Sequence, residues 1–405
     1  MAEWTDEQFA ASIRGELMND ILPFWRSRTV DERRGGFIGE MSNDLRIRDD
    51  APKGLILNAR LLWSFSAFYR HTRDERDRVL ARRAYEYLIT RFLDERHGGY
   101  FWELDSAGNV LDDKKKIYGQ AFCIYALAEY HRAFDEPAAM RQATDVFDLI
   151  ESYASDTQYG GYFEVMSRDW RPCEDMRLSD KDMNEKKSMN NHLHVLEGYT
   201  NLVRVSSEPP HVERLRDLVE VFRRHIVNSE QTHFQHFFDE AWTPKSDSYT
   251  FGHDIEGSWL LCEAAETLGS PRLSTDVQAL AVKMARAVLD EGLDKDGGLL
   301  YEGRGGRIIN PNREWWPQAE AVVGFFNAWQ LTGEAAFREA AVRCWRFIQD
   351  RVVDHERGEW FWCIRPDGTP DPDQPKVSAW KGPYHNGRCC LEMIRRLSLD
   401  RECER

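Results

Sequence analysis

Two kinds of apolar pattern alternate along the chain. In 211–226 the positions Val212, Leu215, Leu218, Val219, Phe222 and Ile226 fall on one side of a helix. In 337–348 Phe337, Ala340, Ala341, Cys344, Phe347 and Ile348 do the same. A single stripe predicts a helix with one face in water. The segments 118–130, 253–266 and 317–329 differ: they are apolar nearly all round and rich in small residues. They predict helices buried on both sides. Between such segments a Gly/aromatic motif recurs, at 33–41, 96–110, 159–172, 233–244, 296–308 and 357–370. Each copy predicts a short β-hairpin, with glycine for the turn and alternating aromatics. The fourth, HFQHFFDEAWTP, is degraded, and its histidines His233 and His236 are expected at the surface.

Successive copies lie about 62 residues apart, and the third interval is longer by about a dozen. Such a period is the signature of a repeat architecture. Six pairs of one buried and one half-exposed helix predict an all-α fold. It is an (α/α)6 barrel of six inner and six outer helices, with β-hairpins in the connecting loops. An open superhelix would satisfy the same pattern, but six copies without an atypical capping repeat favour closure. No linker or low-complexity stretch interrupts residues 1–405, which are read as one domain.

In a barrel, the six segments that follow the hairpins start inner helices at the same end, so their side chains meet at one mouth. There lie Asn58, Arg60, Tyr118, Gln120, Asn190, His192, His194, His253, Asp254, Glu256, Trp315, Trp316, Glu320, Trp380, His385 and Arg388. Three of the six starts carry a histidine, His194, His253 and His385, read as equivalent places. Polar groups converging with aromatics in a concavity are the default site. Trp316 and Trp380 suit stacking on the C–H face of a sugar.

Composition narrows the chemistry. A net charge of −15 argues against nucleic-acid and anionic-membrane partners. No apolar run is long enough to span a bilayer, and the acidic start lacks the features of a secretory signal, so the expectation is cytoplasmic. There is no HExxH and no Cys/His set, and His192 and His194 point about 200° apart on a helix. No metal is expected. Without a GxGxxG or Walker loop, no nucleotide cofactor is expected either. What remains is imidazole, which titrates near neutrality. Two imidazoles on opposite sides of a substrate can remove and return a proton next to a carbonyl. That would convert a sugar at C2, or give the ketose if the proton returns to C1. A hydrolase would instead need two carboxylates flanking the glycosidic bond, with Glu256, Glu320, Asp182 and Asp254 as candidates. A catalytically silent sugar-binding barrel is the third class.

The segments PKGLILNARLLWSFSAFYR (52–70), SMNNHLHVLEGY (188–199), SYTFGHDIEGSWLL (248–261), REWWPQAEA (313–321) and WKGPYHNGRCCLE (380–392) resemble the N-acylglucosamine 2-epimerase family essentially end to end. The resemblance implies an (α/α)6 barrel that works without metal or cofactor. It implies C2 epimerisation of the reducing-end sugar of a β-1,4-linked disaccharide such as cellobiose or lactose. Mannose–fructose isomerisation and N-acetylglucosamine epimerisation are the alternatives. By the same resemblance His253 and His385 form the acid/base pair, and His194 and Glu256 support ring opening or orient a histidine. Arg60 binds the C1/C2 oxygens, and Tyr118, Asn190, Trp316 and Trp380 contact the sugar. Asn191 departs from the pattern, which leads one to expect a smaller residue, and is expected to alter the edge of the site. The partner is a disaccharide, and the chain is expected to be a monomer or a weak homo-oligomer.

Overall fold

A computed structural model describes residues 4–230 and 232–403. Its inner helices are α3 (Leu55–Thr72), α5 (Ile117–Phe134), α7 (Met189–Val205), α9 (Phe251–Thr267), α11 (Trp315–Thr332) and α13 (Tyr384–Cys403). Their first turns are buried, as the patternless apolar stretches require, except at Asn190 and His253, which are partly exposed. Each packs on the next, and α13 packs on α3, so the inner ring is closed. The outer ring consists of α4 (Glu75–Tyr87), α6 (Pro137–Tyr153), α8 (Pro209–Val221), α10 (Pro271–Glu291), α12 (Ala335–Phe347) and an N-terminal helix. That last helix is α1 (Asp6–Glu16) joined to α2 (Leu22–Arg28) through a π-helical turn, and α1 covers α13. The single-stripe segments 211–226 and 337–348 are both outer, each ending in a π turn that leads into a hairpin. No helix among the described residues is long and apolar enough to cross a membrane.

The hairpins appear in all six repeats. Equivalent bridges join Val30 to Phe37, Leu93 to Tyr100, Ser155 to Tyr162, Val227 to Phe234, Leu293 to Leu299 and Val353 to Trp360. The degraded fourth copy is thus a full member. The hairpins are not independent. The short strand before each inner helix pairs with the hairpin of the next repeat: Lys53–Gly54 with Glu103–Leu104, Lys115–Lys116 with Val165–Met166, Lys187–Ser188 with Phe237–Phe238. Ser248–Thr250 pairs likewise with Glu302–Arg304, and Arg313–Glu314 with Cys363–Ile364. Val377 returns to Met41 and completes the circle. The mouth of the barrel is therefore framed by a second closed ring, and the inner helix N-termini are fixed relative to one another.

Candidate active site

Helical periodicity decides which polar residues of the first turns face the axis. Positions two and four residues into a helix lie about 200° apart, whereas the second and sixth nearly superpose. The fourth residues are Asn58, Gln120, His192, Asp254 and Gln318, and they turn outward. There they bind backbone: Gln120, His192, Asp254 and Gln318 accept the amides of Tyr100, Tyr162, Phe234 and Leu299 at 2.7–2.9 Å. Asn58 donates to the Gly54 carbonyl. Gln120, His192, Asp254 and Gln318 are clasps that hold hairpins, whereas Asn58 bonds the strand before its own helix; all but Gln318 were placed at the mouth by the sequence. Asn191 is also buried behind the wall against the Phe163 carbonyl, so it does not edge the site.

The sixth residues face inward: Arg60, Phe122, His194, Glu256 and Glu320, with Arg388 completing the ring from α13. Above them stand Tyr118, Asn190, His253, Trp316 and His385. All nine residues expected in the site line one cavity of about 350 Å³ at the mouth. The histidines are not equivalent: His253 and His385 share the upper level, and His194 lies one turn deeper. Trp316 packs against both His253 and His385, with ring centres 4.6 and 5.6 Å apart.

Each imidazole is anchored through Nδ1. His385 Nδ1 lies 2.7 Å from Glu320 Oε1, His194 Nδ1 lies 2.9 Å from Glu197 Oε2, and His253 Nδ1 lies 2.6 Å from the Thr250 hydroxyl. The carboxylates require Nδ1–H on the first two. For His253 the partner is a hydroxyl, which accepts Nδ1–H in the tautomer that leaves Nε2 as the base. Nε2 of all three, with no protein partner among the described residues, is the basic nitrogen left for a ligand. Burial lowers all three pKa values. For His253 the neighbouring histidines add to it, and for His385 the guanidinium groups of Arg60 and Arg388 do. Near neutral pH they are uncharged bases.

Below them the Arg388 guanidinium donates to Glu256 at 2.6 Å, to Glu320 at 2.8 Å and to Glu197. Burial raises the pKa of Glu256 and Glu320, and repulsion adds to it. Glu197 is also buried, but Arg388 and His194 outweigh the burial and hold it down at about 2. The arrangement therefore pairs an ionised Glu197 with a readily protonated Glu256, whose Oε2 is buried and lacks a partner. Asn190 Oδ1 is likewise unpartnered. Arg60 donates to the Trp380 carbonyl at 2.7 Å and to the Tyr118 hydroxyl at 3.1 Å, with no carboxylate partner among the described residues. A buried cation without a counter-charge favours an anionic oxygen of a ligand.

Glu256, Glu320 and His385 could in principle gather round a metal, since their ligand atoms lie within 4.8 Å of one another. The Arg388 guanidinium already supplies the positive charge there. The same closeness is unlike a glycosidase, whose carboxyl groups stand on two sides of the scissile bond.

The family model for N-acylglucosamine 2-epimerase (GlcNAc 2-epimerase) matches residues 36–389. The chain belongs to the N-acylglucosamine 2-epimerase family. Within it, the chain is 43% identical over 390 residues to a cellobiose 2-epimerase of Bacteroides fragilis, covering 96% of this chain and 99% of that one. It is 38% identical to a cellobiose 2-epimerase of Dictyoglomus turgidum, covering 94% of this chain and 97% of the relative. The solved cellobiose 2-epimerase of Bacillus thermoamylovorans superposes with a TM-score of 0.92 at 37% identity, covering 96% of this chain and 100% of that one. The protein is thus a carbohydrate epimerase, on the (α/α)6 barrel its repeats predict.

Glu197, one turn beyond His194, was not singled out in the sequence, and it holds that imidazole from below. Glu320 and Arg388, both placed at the mouth by the sequence, lie with it beneath the cavity rather than in its wall. Glu314, Tyr301 and Trp362 line the wall, and the segment 178–182 lies across it. That segment is carried by the extra dozen residues of the third interval, the one signal that could have found it. The expectation that His233 and His236 are surface residues is wrong. His233 is only 6% exposed, and half-buried His236 stands behind His253 with ring centres 5.9 Å apart. Both pack under the hairpin, where aromatic neighbours replace solvent.

Proposed function

We propose that the protein epimerises the reducing-end sugar of a β-1,4-linked disaccharide at C2, converting cellobiose to glucosyl-mannose and lactose to epilactose. The observation that carries this reading is the pair of neutral imidazoles, His253 and His385, on either side of Trp316 at one cavity. The sugar ring first opens, with Glu256 and His194 moving the proton between ring oxygen and O1. One imidazole Nε2 then takes the C2 proton. The C2–H electrons form the C1=C2 bond and the carbonyl pair moves onto O1, giving a cis-enediolate. Arg60 holds its oxygens, and the six helix N-termini add positive potential. The other histidine, which takes up a proton from solvent at Nε2 beforehand, delivers it to the opposite face of C2; the O1 pair restores the aldehyde with inverted configuration, and the first histidine then releases its proton to solvent. Tyr118, Asn190, Trp316 and Trp380 hold the sugar.

The whole chain acts as one catalytic domain, and because the cavity is complete within one chain a monomer suffices. The substrate choice rests on the family relatives named for cellobiose. Separate incubations with cellobiose, lactose and mannose test it. The expected result is a C2 epimer from each disaccharide and little turnover of mannose. Turnover of mannose alone would replace the disaccharide reading with that of a monosaccharide isomerase.

A further inference from the structure

Five of the six repeats share a charged clamp. A basic residue near the start of the inner helix reaches the first aspartate of its own repeat's hairpin: Lys53 to Asp31, Lys115 to Asp94, Lys187 to Asp156, Arg313 to Asp294 and Lys376 to Asp354. In the fourth repeat both members are replaced, by Tyr249 and Asn228. The adjoining hairpin position holds Gly36, Gly99, Gly161, Gly298 or Glu359 elsewhere, and here it holds His233. The clasp on the inner helix is uncharged in the second, third and fifth repeats, as Gln120, His192 and Gln318, and is here a carboxylate, Asp254. Four positions have changed together. Their side chains meet: His233 Nδ1 lies 2.7 Å from Asp254 Oδ2, and the His233 ring stacks on Tyr249 with centres 3.7 Å apart. Glu291, at the end of α10, approaches His233 Nε2 at 3.4 Å and accepts the Tyr249 hydroxyl at 2.9 Å.

The ion pair has moved from the strand into the first turn of α9, onto the residue next to His253. Asp254 is fully buried and also accepts the Phe234 amide, so the hairpin that carries His236 and the helix that carries His253 are held by one carboxylate. The geometry points to His233 as a positioning residue: its contact with Asp254 fixes the fourth hairpin against α9 and so aims His253 at C2 of the sugar. This rests on the proposed role of His253. The groups facing His233 are Asp254 from α9, Glu291 from α10 and Tyr249 from the preceding strand. Burial alone would lower the His233 pKa, but the hydrogen bond and charge of Asp254, with Glu291, outweigh it and raise it above 6.5. A raised value means that the pair is intact below 6.5 and is lost as pH rises through the His233 pKa. Asp254 is then left buried without its cation.

The test compares wild type, His233→Gln, Asp254→Asn with His233→Gln, and His253→Ala, measuring kcat, KM and the alkaline limb of the kcat profile on cellobiose. His233→Gln is expected to lower kcat by about tenfold with KM little changed, a displaced base rather than lost binding, and to alter the alkaline limb. The double variant recreates the neutral amide clasp of Gln120 and Gln318. It is expected to fold, to recover part of kcat and to lack the limb due to His233, even if the single variant folds poorly. If both variants keep the wild-type kcat and pH profile while His253→Ala is inactive, the positioning role is overturned and the proposed function stands. If His253→Ala keeps wild-type activity, the role of His253 falls first, and the positioning role with it.

Discussion

Three imidazoles line one cavity, and what distinguishes them is the group behind each Nδ1. His385 and His194 are backed by carboxylates, which stabilise an imidazolium once a proton arrives. His253 is backed by a hydroxyl, a weaker support, and returns its proton more readily. Because burial lowers their pKa values, the free bases persist below the ordinary histidine value of 6.5. The kcat/KM of the free enzyme is therefore expected not to fall as pH is lowered through 6.5 and to turn down only below it. A profile centred at 6.5 would mean solvated histidines and contradict the buried pair. Much of this scale was legible in the sequence: all nine expected residues line the cavity, because inner-helix starts must meet. What was not legible is direction. Asn58, Gln120, His192 and Asp254 sit as close to the mouth in sequence as Asn190 and His194 do, yet a rotation of about 200° sends Gln120, His192 and Asp254 to the hairpins and Asn58 to the Gly54 carbonyl. The burial of His233 and His236 was not legible, because the contacts that bury them come from Asp254 and Thr250 on the following segment rather than from the degraded hairpin motif itself.

At the scale of elements, the unit is a hairpin clasped to an inner helix. Gln120 and Gln318 each bind both the amide and the carbonyl of a hairpin residue. His192 does the equivalent work with an imidazole that accepts the Tyr162 amide through Nε2 and anchors Nδ1 on the Ser188 carbonyl. Burial holds its pKa at about 3 against an ordinary value of 6.5. Between those values the unfolded chain binds a proton that the folded one does not. This contribution is thus complete above pH 6.5 and is lost as pH falls towards 3. His192→Gln is expected to fold, to lose no more than about 1 kcal/mol near neutrality, and to show a shallower fall of Tm between pH 6.5 and 4. An unchanged slope would show that His192 is not the titrating clasp. The hairpins were visible in sequence as Gly/aromatic copies. Their pairing with strands of the preceding repeat was not, because two-residue strands leave no periodicity to read.

At the scale of the whole molecule, closure is made twice. The inner helices close through α13 against α3, and the hairpin ring closes through Val377 and Met41. The N-terminal helix seals the last repeat: Glu16 accepts from Trp360 Nε1 and Gln349, and Trp25 Nε1 donates to Glu359. The repeat count predicted six-fold closure, but that the first outer helix serves the last inner one follows from the ring itself. Closure gives the site its properties, because six helix starts held in a frame bring His253, His385, Arg60 and Glu256 from three separated segments to one cavity. The central claim, proton transfer at C2 by protein bases, is tested most directly by incubating the enzyme with cellobiose in D2O and locating deuterium by NMR. The account predicts deuterium at C2 of the reducing-end residue in glucosyl-mannose. Epimer formed without deuterium at C2, or glucose released with none in the intact disaccharide, would contradict it.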